Sequence, residues 1–213
     1  MNGALQKLLS ISSAPISRGV AKPKSEMFER YKVAGLELSE MLKLKNGFYA
    51  FESALHVLPV EDERGALGIA KWNEDKLWRC HYGDLAEGYL FFAEDVFGNQ
   101  FCINDHPAIG IFDAETGGFE VLAGSVGEFV EKILENYDNL TGYTLAHDWQ
   151  CENGALPLGK RLMPKIPFVL NGEFKTSNLY AIDGVSSMRN RGSLARQIKD
   201  LPDGSQIKVQ IVE

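Results

Sequence analysis

The sequence has no CxxC pair, no GxSxG elbow, no GxxxxGK[ST] phosphate loop and no apolar run of about 18 residues. Each absence argues against a class of protein. Without a membrane-length run, no spanning helix is expected. Leu5, Leu8, Leu9 and Ile11 near the start have no basic leader and no continuous apolar region, so they read as a short helix before a loose polar arm rather than as a secretory signal. Cysteine is scarce: Cys80, Cys102 and Cys151 are odd in number and far apart, which argues against a disulfide framework and a zinc ribbon. Reduced thiols in a cytoplasmic protein are the expectation. Positive charge is the minority, with 22 Lys and Arg against 29 Asp and Glu and a net charge of −7. A nucleic-acid binder needs a basic face to meet phosphates, so neither nucleic acid nor membrane is expected as a partner. An acidic surface suits a basic protein.

What is present is enough to bury a core: 45% of the 213 residues are hydrophobic. The expected class is α+β, with an antiparallel β-meander packed against helices and a small α/β C-terminal extension. The expected divisions are an arm over 1–24, a main domain over 25–140 and a C-terminal subdomain over 141–213. Leu36, Leu38, Met41, Leu42 and Leu44 read as a short helix ended by Asn46-Gly47. "FYAFESALHVLPV" reads as one strand or extended edge. "IAKWNEDKLWRCHYGD" reads as a helix and turn, with Trp72, Leu77 and Trp78 in the core. "YLFFAEDVF", "QFCIN", "AIGIFD" and "GFEVLAG" are four strands separated by turn residues. From Ser125, "SVGEFVEKILENYDNL" opens with a capping box, and Val126, Phe129, Val130, Ile133, Leu134 and Tyr137 fall on one helical face. Further on, "GYTLAHDWQCENG" reads as a helix, "RLMPKIPFVL" and "NLYAID" as extended segments, and "SLARQIKDL" as a short helix with Leu194, Ile198 and Leu201 on one side. Ile207, Val209 and Ile211 alternate as a last strand.

The acid-rich stretch "FFAEDVFGNQFCIND" invites a metal reading, which fails on spacing. Counted from Asp95 as the first position of a calcium loop, the third position is Phe97 and glycine arrives at the fourth, Gly98. A hairpin turning at Gly98-Asn99, with its acids on the rim, fits better. Cys80, His81, His147 and Cys151 match no standard zinc spacing. No metal, cofactor or catalytic residue is assigned. His81 with Asp84, or His56 with Glu52, would make acid–base pairs if the fold joined them. A small-ligand binder or enzyme would have its site between the meander and the C-terminal subdomain, around His81, Asp84, His147 and Asp148. Arg189, Arg191, Arg196 and Lys199 read as a solvated helix face.

Asn46-Gly47, the run Phe91 to Glu94, the turn Gly98-Asn99, Phe101 to Ile103, Ile109 to Phe112 and Glu128-Phe129 together resemble the SUKH superfamily. This group includes bacterial immunity proteins of polymorphic toxin systems and yeast cell-wall-synthesis and killer-toxin-resistance regulators. The resemblance covers 26–138. It departs from the family pattern where an "LP" often opens the first helix, since this chain has Gly35-Leu36 there, and in the longer segment 58–82. The tail resembles extensions on larger bacterial members. The resemblance implies a non-catalytic scaffold that binds another protein: a toxin for a bacterial member, or a regulatory partner for a relative without one. Glu94, Asp95 and Asp105 are the acids expected to meet a basic partner.

Overall fold

Aromatic and β-branched residues between 48 and 123 form six strands, β1 (Phe48–Ala50), β2 (Leu55–Val57), β3 (Leu90–Glu94), β4 (Gln100–Ile103), β5 (Ile109–Phe112) and β6 (Phe119–Ala123). Each pairs antiparallel with the next, so the sheet is a meander in sequence order. The structure is a computed structural model that describes residues 3–19, 21, 25–63, 65–202 and 204–205. The strand expected at Ile207, Val209 and Ile211 lies outside the described residues.

Helices cover both faces of this sheet. On one side lie α1 (Gly3–Ile11), α3 (Lys32–Leu44), which follows the short α2 (Ser25–Glu29), and α5 (Val126–Glu135). On the other lie α4 (Ile69–Trp72), two 3-10 turns over 79–81 and 83–86, and α8 (Gly184–Ile198). Between α5 and α8 run α6 (Tyr137–Thr141), α7 (Tyr143–Asn153) and a second, two-stranded sheet of β7 (Lys160–Pro164) and β8 (Leu179–Asp183). The class is therefore α+β. The aromatic pair at 91–92 serves both layers. Phe92 and Phe101 meet Phe129 of α5 edge-on, at 5.4 and 5.2 Å, whereas Phe91 meets Trp78 and Phe112 on the opposite face. With both faces covered, all five residues of β3 are buried, although Phe91 and Phe92 point to opposite layers. A bulge between Phe91 and Ala93 interrupts the register as well.

Four expectations are corrected. The run 48–57 is a hairpin, not one strand. Its turn is made by Phe51, Glu52 and Ser53, all with positive φ (52°, 52° and 71°), a conformation that side-chain-bearing residues seldom adopt. The arm is not loose: the N–H groups of Ser13, Ile16 and Ser17 donate to the carbonyls of Tyr49, Gly47 and Asn46. The helix begun at Ser125 breaks at Asn136, so Tyr137 leaves the buried face and stacks on Phe51 instead. The last helix is also longer than expected. It starts where Asp183 caps the Ser186 N–H, and it buries Ser187, Met188, Arg191, Gly192 and Ala195 rather than the leucine side. Gly192 leaves room for Tyr82, whose ring carbon sits 2.7 Å from where a Cβ would be.

The helix cap at Ser125 forms as the sequence implies. Ser125 Oγ accepts from the Glu128 N–H, while Glu128 reaches one residue further back, to the Gly124 N–H. Among the described residues no helix is long and apolar enough to cross a membrane.

Candidate functional site

The register of β2 against β3 sets His56 directly opposite Glu94. His56 Nδ1 lies 2.8 Å from Glu94 Oε1, and both side chains are almost wholly buried. Arg161 of β7 reaches the same oxygen with Nε at 2.7 Å and sends Nη1 to the Ser53 carbonyl in the positive-φ turn. The second Glu94 oxygen faces Gln100 Nε2 at 3.3 Å, and Gln100 in turn accepts from Trp72 Nε1. Tyr49 stacks on the His56 ring at 4.2 Å. One carboxylate thus gathers three donors from β2, β4 and β7, which ties the C-terminal hairpin to the sheet.

A buried charge pair persists only when geometry and added hydrogen bonds offset desolvation. Burial alone raises the Glu94 pKa, but Arg161 and His56 reverse that and hold it at about 2. Burial lowers the His56 pKa, and Arg161 adds to that, so the ring is neutral near pH 7 despite the nearby carboxylate. Three atoms in this cluster, the Tyr49 hydroxyl oxygen, His56 Nε2 and Arg161 Nη2, are buried without a hydrogen-bond partner.

The expected hairpin rim is in fact an internal junction. Its turn is the five-residue loop 95–99 rather than Gly98-Asn99 alone, because Glu94 pairs with Gln100. Asp95 Oδ1 and Oδ2 accept from the Asn99 N–H and Nδ2, which fixes the loop. Val96 donates to the Thr141 carbonyl and accepts from the Leu162 N–H, and Arg191 Nη1 donates to the Phe97 carbonyl at 2.6 Å. Val96 and Phe97 belong to a second core cluster with Ala146, Trp149 and Leu162. Glu94 and Asp95 are consequently buried, and their placement on a rim facing a partner is corrected. Asp105 does stay at the surface, where both its oxygens accept from Arg30 Nη2, at 3.0 and 3.2 Å. Arg191 is likewise interior rather than on a solvated face, because the small residues of α8 let it cross to the 97–98 turn.

In place of the expected acid–base pairs, the partners are exchanged. Asp84 pairs with Lys199, not His81; His56 takes Glu94; and Glu52 takes His147 at 2.8 Å. Cys151 Sγ lies 3.6 Å from His147 Nε2, one turn away on α7. Thiol, imidazole and carboxylate stand in the order of an activated nucleophile. All three are solvent-exposed, so the arrangement supplies an accessible thiol rather than a water-excluded site. Among the described residues no group of three or more His, Cys, Asp or Glu side chains is gathered to hold a metal.

No family model matches the chain, and no curated protein matches it significantly. Among solved structures it is similar to Atu4351 from Agrobacterium tumefaciens, with 13% identity over 91% of this chain and 89% of that one and a TM-score of 0.62. The likeness is one of fold. It extends through the C-terminal segment as well as the meander, since it spans nine-tenths of the chain.

Sequence reasoning missed the roles of His56, Arg161, Gln100 and Trp72. The available signals were a histidine inside the apolar strand "LHV" and an arginine heading the apolar run "RLMP". Polar groups at such positions must find partners when buried.

Asp95 supplies a pH test. Burial pushes its carboxyl up to about 7, against the pull of its Asn99 hydrogen bonds. The folded state therefore holds the proton more tightly than the unfolded chain. The stability this confers is complete below 3.8 and is lost as pH rises to about 7. Glu94 has the opposite sign, with stability lost as pH falls from 4.5 towards 2. In Asp95→Asn, the unfolding free energy relative to the parent, read by denaturant unfolding, is expected to climb between pH 4 and pH 7 by an amount on the order of a few kcal/mol. A difference flat across that window contradicts the assignment.

Proposed function

We propose that this protein is a non-catalytic protein-binding module of SUKH type, an immunity protein that neutralises a toxin of a bacterial polymorphic toxin system in the cytoplasm. The observation that carries the reading is α3, which is apolar on two sides. Ala34, Leu38, Met41 and Leu42 face the core, while Val33 (65% exposed), Leu36 (52%) and Leu44 (50%) face outward. The outer row borders a groove of about 620 Å³ shared with Leu5 of α1 and Val126 of α5. A contiguous exposed apolar surface with polar edges is characteristic of a protein interaction site. Glu37 and Glu40 line the same groove, and the net charge of −7 favours a basic partner. The resemblance of residues 26–138 to immunity proteins supports the choice of a toxin as that partner.

The test is protection. Cells producing the toxin encoded beside this chain should survive when the chain is present. Leu36→Arg, which sets a positive charge in the groove, should lower affinity about tenfold or more while leaving the melting temperature unchanged. Absence of any protein partner on crosslinking, together with no protection, would sink the proposal. A regulatory scaffold without a toxin is distinguished from it by the identity of the adjacent gene.

A further inference from the structure

The three thiols differ in what surrounds them. Cys102 is fully buried, and burial pushes its thiol well above the ordinary range. Cys80 is exposed on the 3-10 turn 79–81, beside Arg79 and His81 in the chain. Cys151 is exposed too, but α7 places His147 one turn before it on the same face. Its Sγ lies 3.6 Å from His147 Nε2, and His147 Nδ1 lies 2.8 Å from Glu52 Oε2. A carboxylate only accepts, so Nδ1 carries a proton and Nε2 is left to face the thiol. When neutral, Nε2 takes the thiol proton; when protonated, it donates to the thiolate and stabilises it. Either state favours the nucleophilic form of the sulfur.

The charges around the ring agree with that role. Glu52 approaches from the β1–β2 turn and Asp148 from α7 itself; the Glu52 hydrogen bond raises the imidazole pKa, and Asp148 adds to the effect. Tyr143, one turn earlier, packs beside the ring at 6.0 Å. Cys151 also lines an open groove of about 500 Å³ between α7 and residues 174–177. Phe174 is 68% exposed there, and the charged side chains of the groove are Asp148, Glu152 and Lys175. Lys175 is paired with Glu173, so the charge left over is negative. A reagent that approaches the thiol through this groove is favoured when it is cationic.

We propose that Cys151 is a site of reversible thiolation, at which a small cationic disulfide exchanges with a thiol activated by His147. The thiol proton passes to His147 Nε2, and Sγ attacks one sulfur of the disulfide. An S–S bond forms to Cys151 as the reagent's own S–S bond breaks, and the departing thiolate takes the proton from His147. Cys151 is oxidised, and the departing half of the reagent is reduced to a thiol. Glu52 acts through the ring, as a positioning residue. The site stands independently of the toxin reading.

Mixing the full chain with cystamine or with oxidised glutathione at pH 7, and following adducts at each cysteine by mass spectrometry after acid quenching, tests it. Cystamine should modify Cys151, and dithiothreitol should release the adduct. His147→Gln changes an exposed residue and should slow Cys151 by about threefold or more. Cys80 should keep its rate in that variant, and Cys102 should stay unmodified, which reports an intact fold. Cystamine should be preferred over the anionic glutathione disulfide more strongly at Cys151 than at Cys80, and added salt should narrow the difference. Glu52→Gln should lower the midpoint of the His147 titration in proton NMR, a readout that a purely structural contact would not move. No adduct at Cys151, an unchanged Cys151 rate in His147→Gln, equal reagent preference at the two exposed cysteines, or a His147 titration unmoved by Glu52→Gln would each overturn the proposal.

Discussion

Replacing Arg161 with methionine is expected to destabilise the protein by about 3–5 kcal/mol, because it strands the Glu94 carboxylate in a buried site. The loss should be read by denaturant unfolding with an unchanged m-value. Packing is similar in length, so the effect reports charge more than volume. The double variant Arg161→Met, Glu94→Gln should recover most of the loss: glutamine keeps an acceptor for His56 and removes the unpaired charge. If single and double variants are equally unstable, the ion pair is not what joins the C-terminal hairpin to the sheet. The Ser53 carbonyl and the Tyr49 ring, which Arg161 also contacts, would then be the stronger ties.

Phe129→Ala is expected to have an effect of similar size, about 3–5 kcal/mol, for a different reason. Phe129 is fully buried and packs edge-on against Phe92 and Phe101, so truncation removes both aromatic contacts and leaves a cavity between α5 and the sheet. Phe129→Leu should recover a large part of the loss, since the site keeps most of its volume. A cost below about 1 kcal/mol for Phe129→Ala would mean that α5 does not anchor on the meander through this residue.

Those two residues also mark what the sequence could and could not disclose. Phe129 is legible: it lies on a helical face with period 3.6, behind a capping box, and the strands it meets announce themselves by aromatic and β-branched runs. Such signals are local. The pairing of Arg161 with Glu94 spans 67 residues, and that of Arg191 with Phe97 spans 94, so no window of sequence contains both partners. Without those partners, "EDVFGN" reads as a polar turn with its acids on the surface. The β1–β2 hairpin escaped for a chemical reason. Its turn uses Phe51, Glu52 and Ser53 at positive φ, where glycine, asparagine or aspartate normally signals the bend. The neighbouring chain holds the turn in place: Glu52 pairs with His147, and the carbonyls of residues 52 and 53 accept from Gln150 and Arg161. Strain of this kind persists only where surrounding structure over-determines it.

The burial of Glu94 and Asp95 moves the search for a partner surface away from that segment and towards α3. Glu94 ties the C-terminal hairpin to the sheet through Arg161, Asp95 fixes the loop 95–99, and Asp105 alone among the three expected contact residues remains exposed. An outward apolar row on a helix whose inner row is already buried has no structural role within the described residues. It gives the protein-binding reading its most specific physical support.

The most direct measurement is to mix the purified chain with the purified protein encoded beside it and follow the complex by sedimentation at rising salt, alongside Leu36→Arg. The predicted result is a stoichiometric complex that weakens as salt screens the acidic surface and that the Leu36→Arg variant fails to form. No complex with the neighbouring protein, or one that Leu36→Arg leaves intact, would contradict the account.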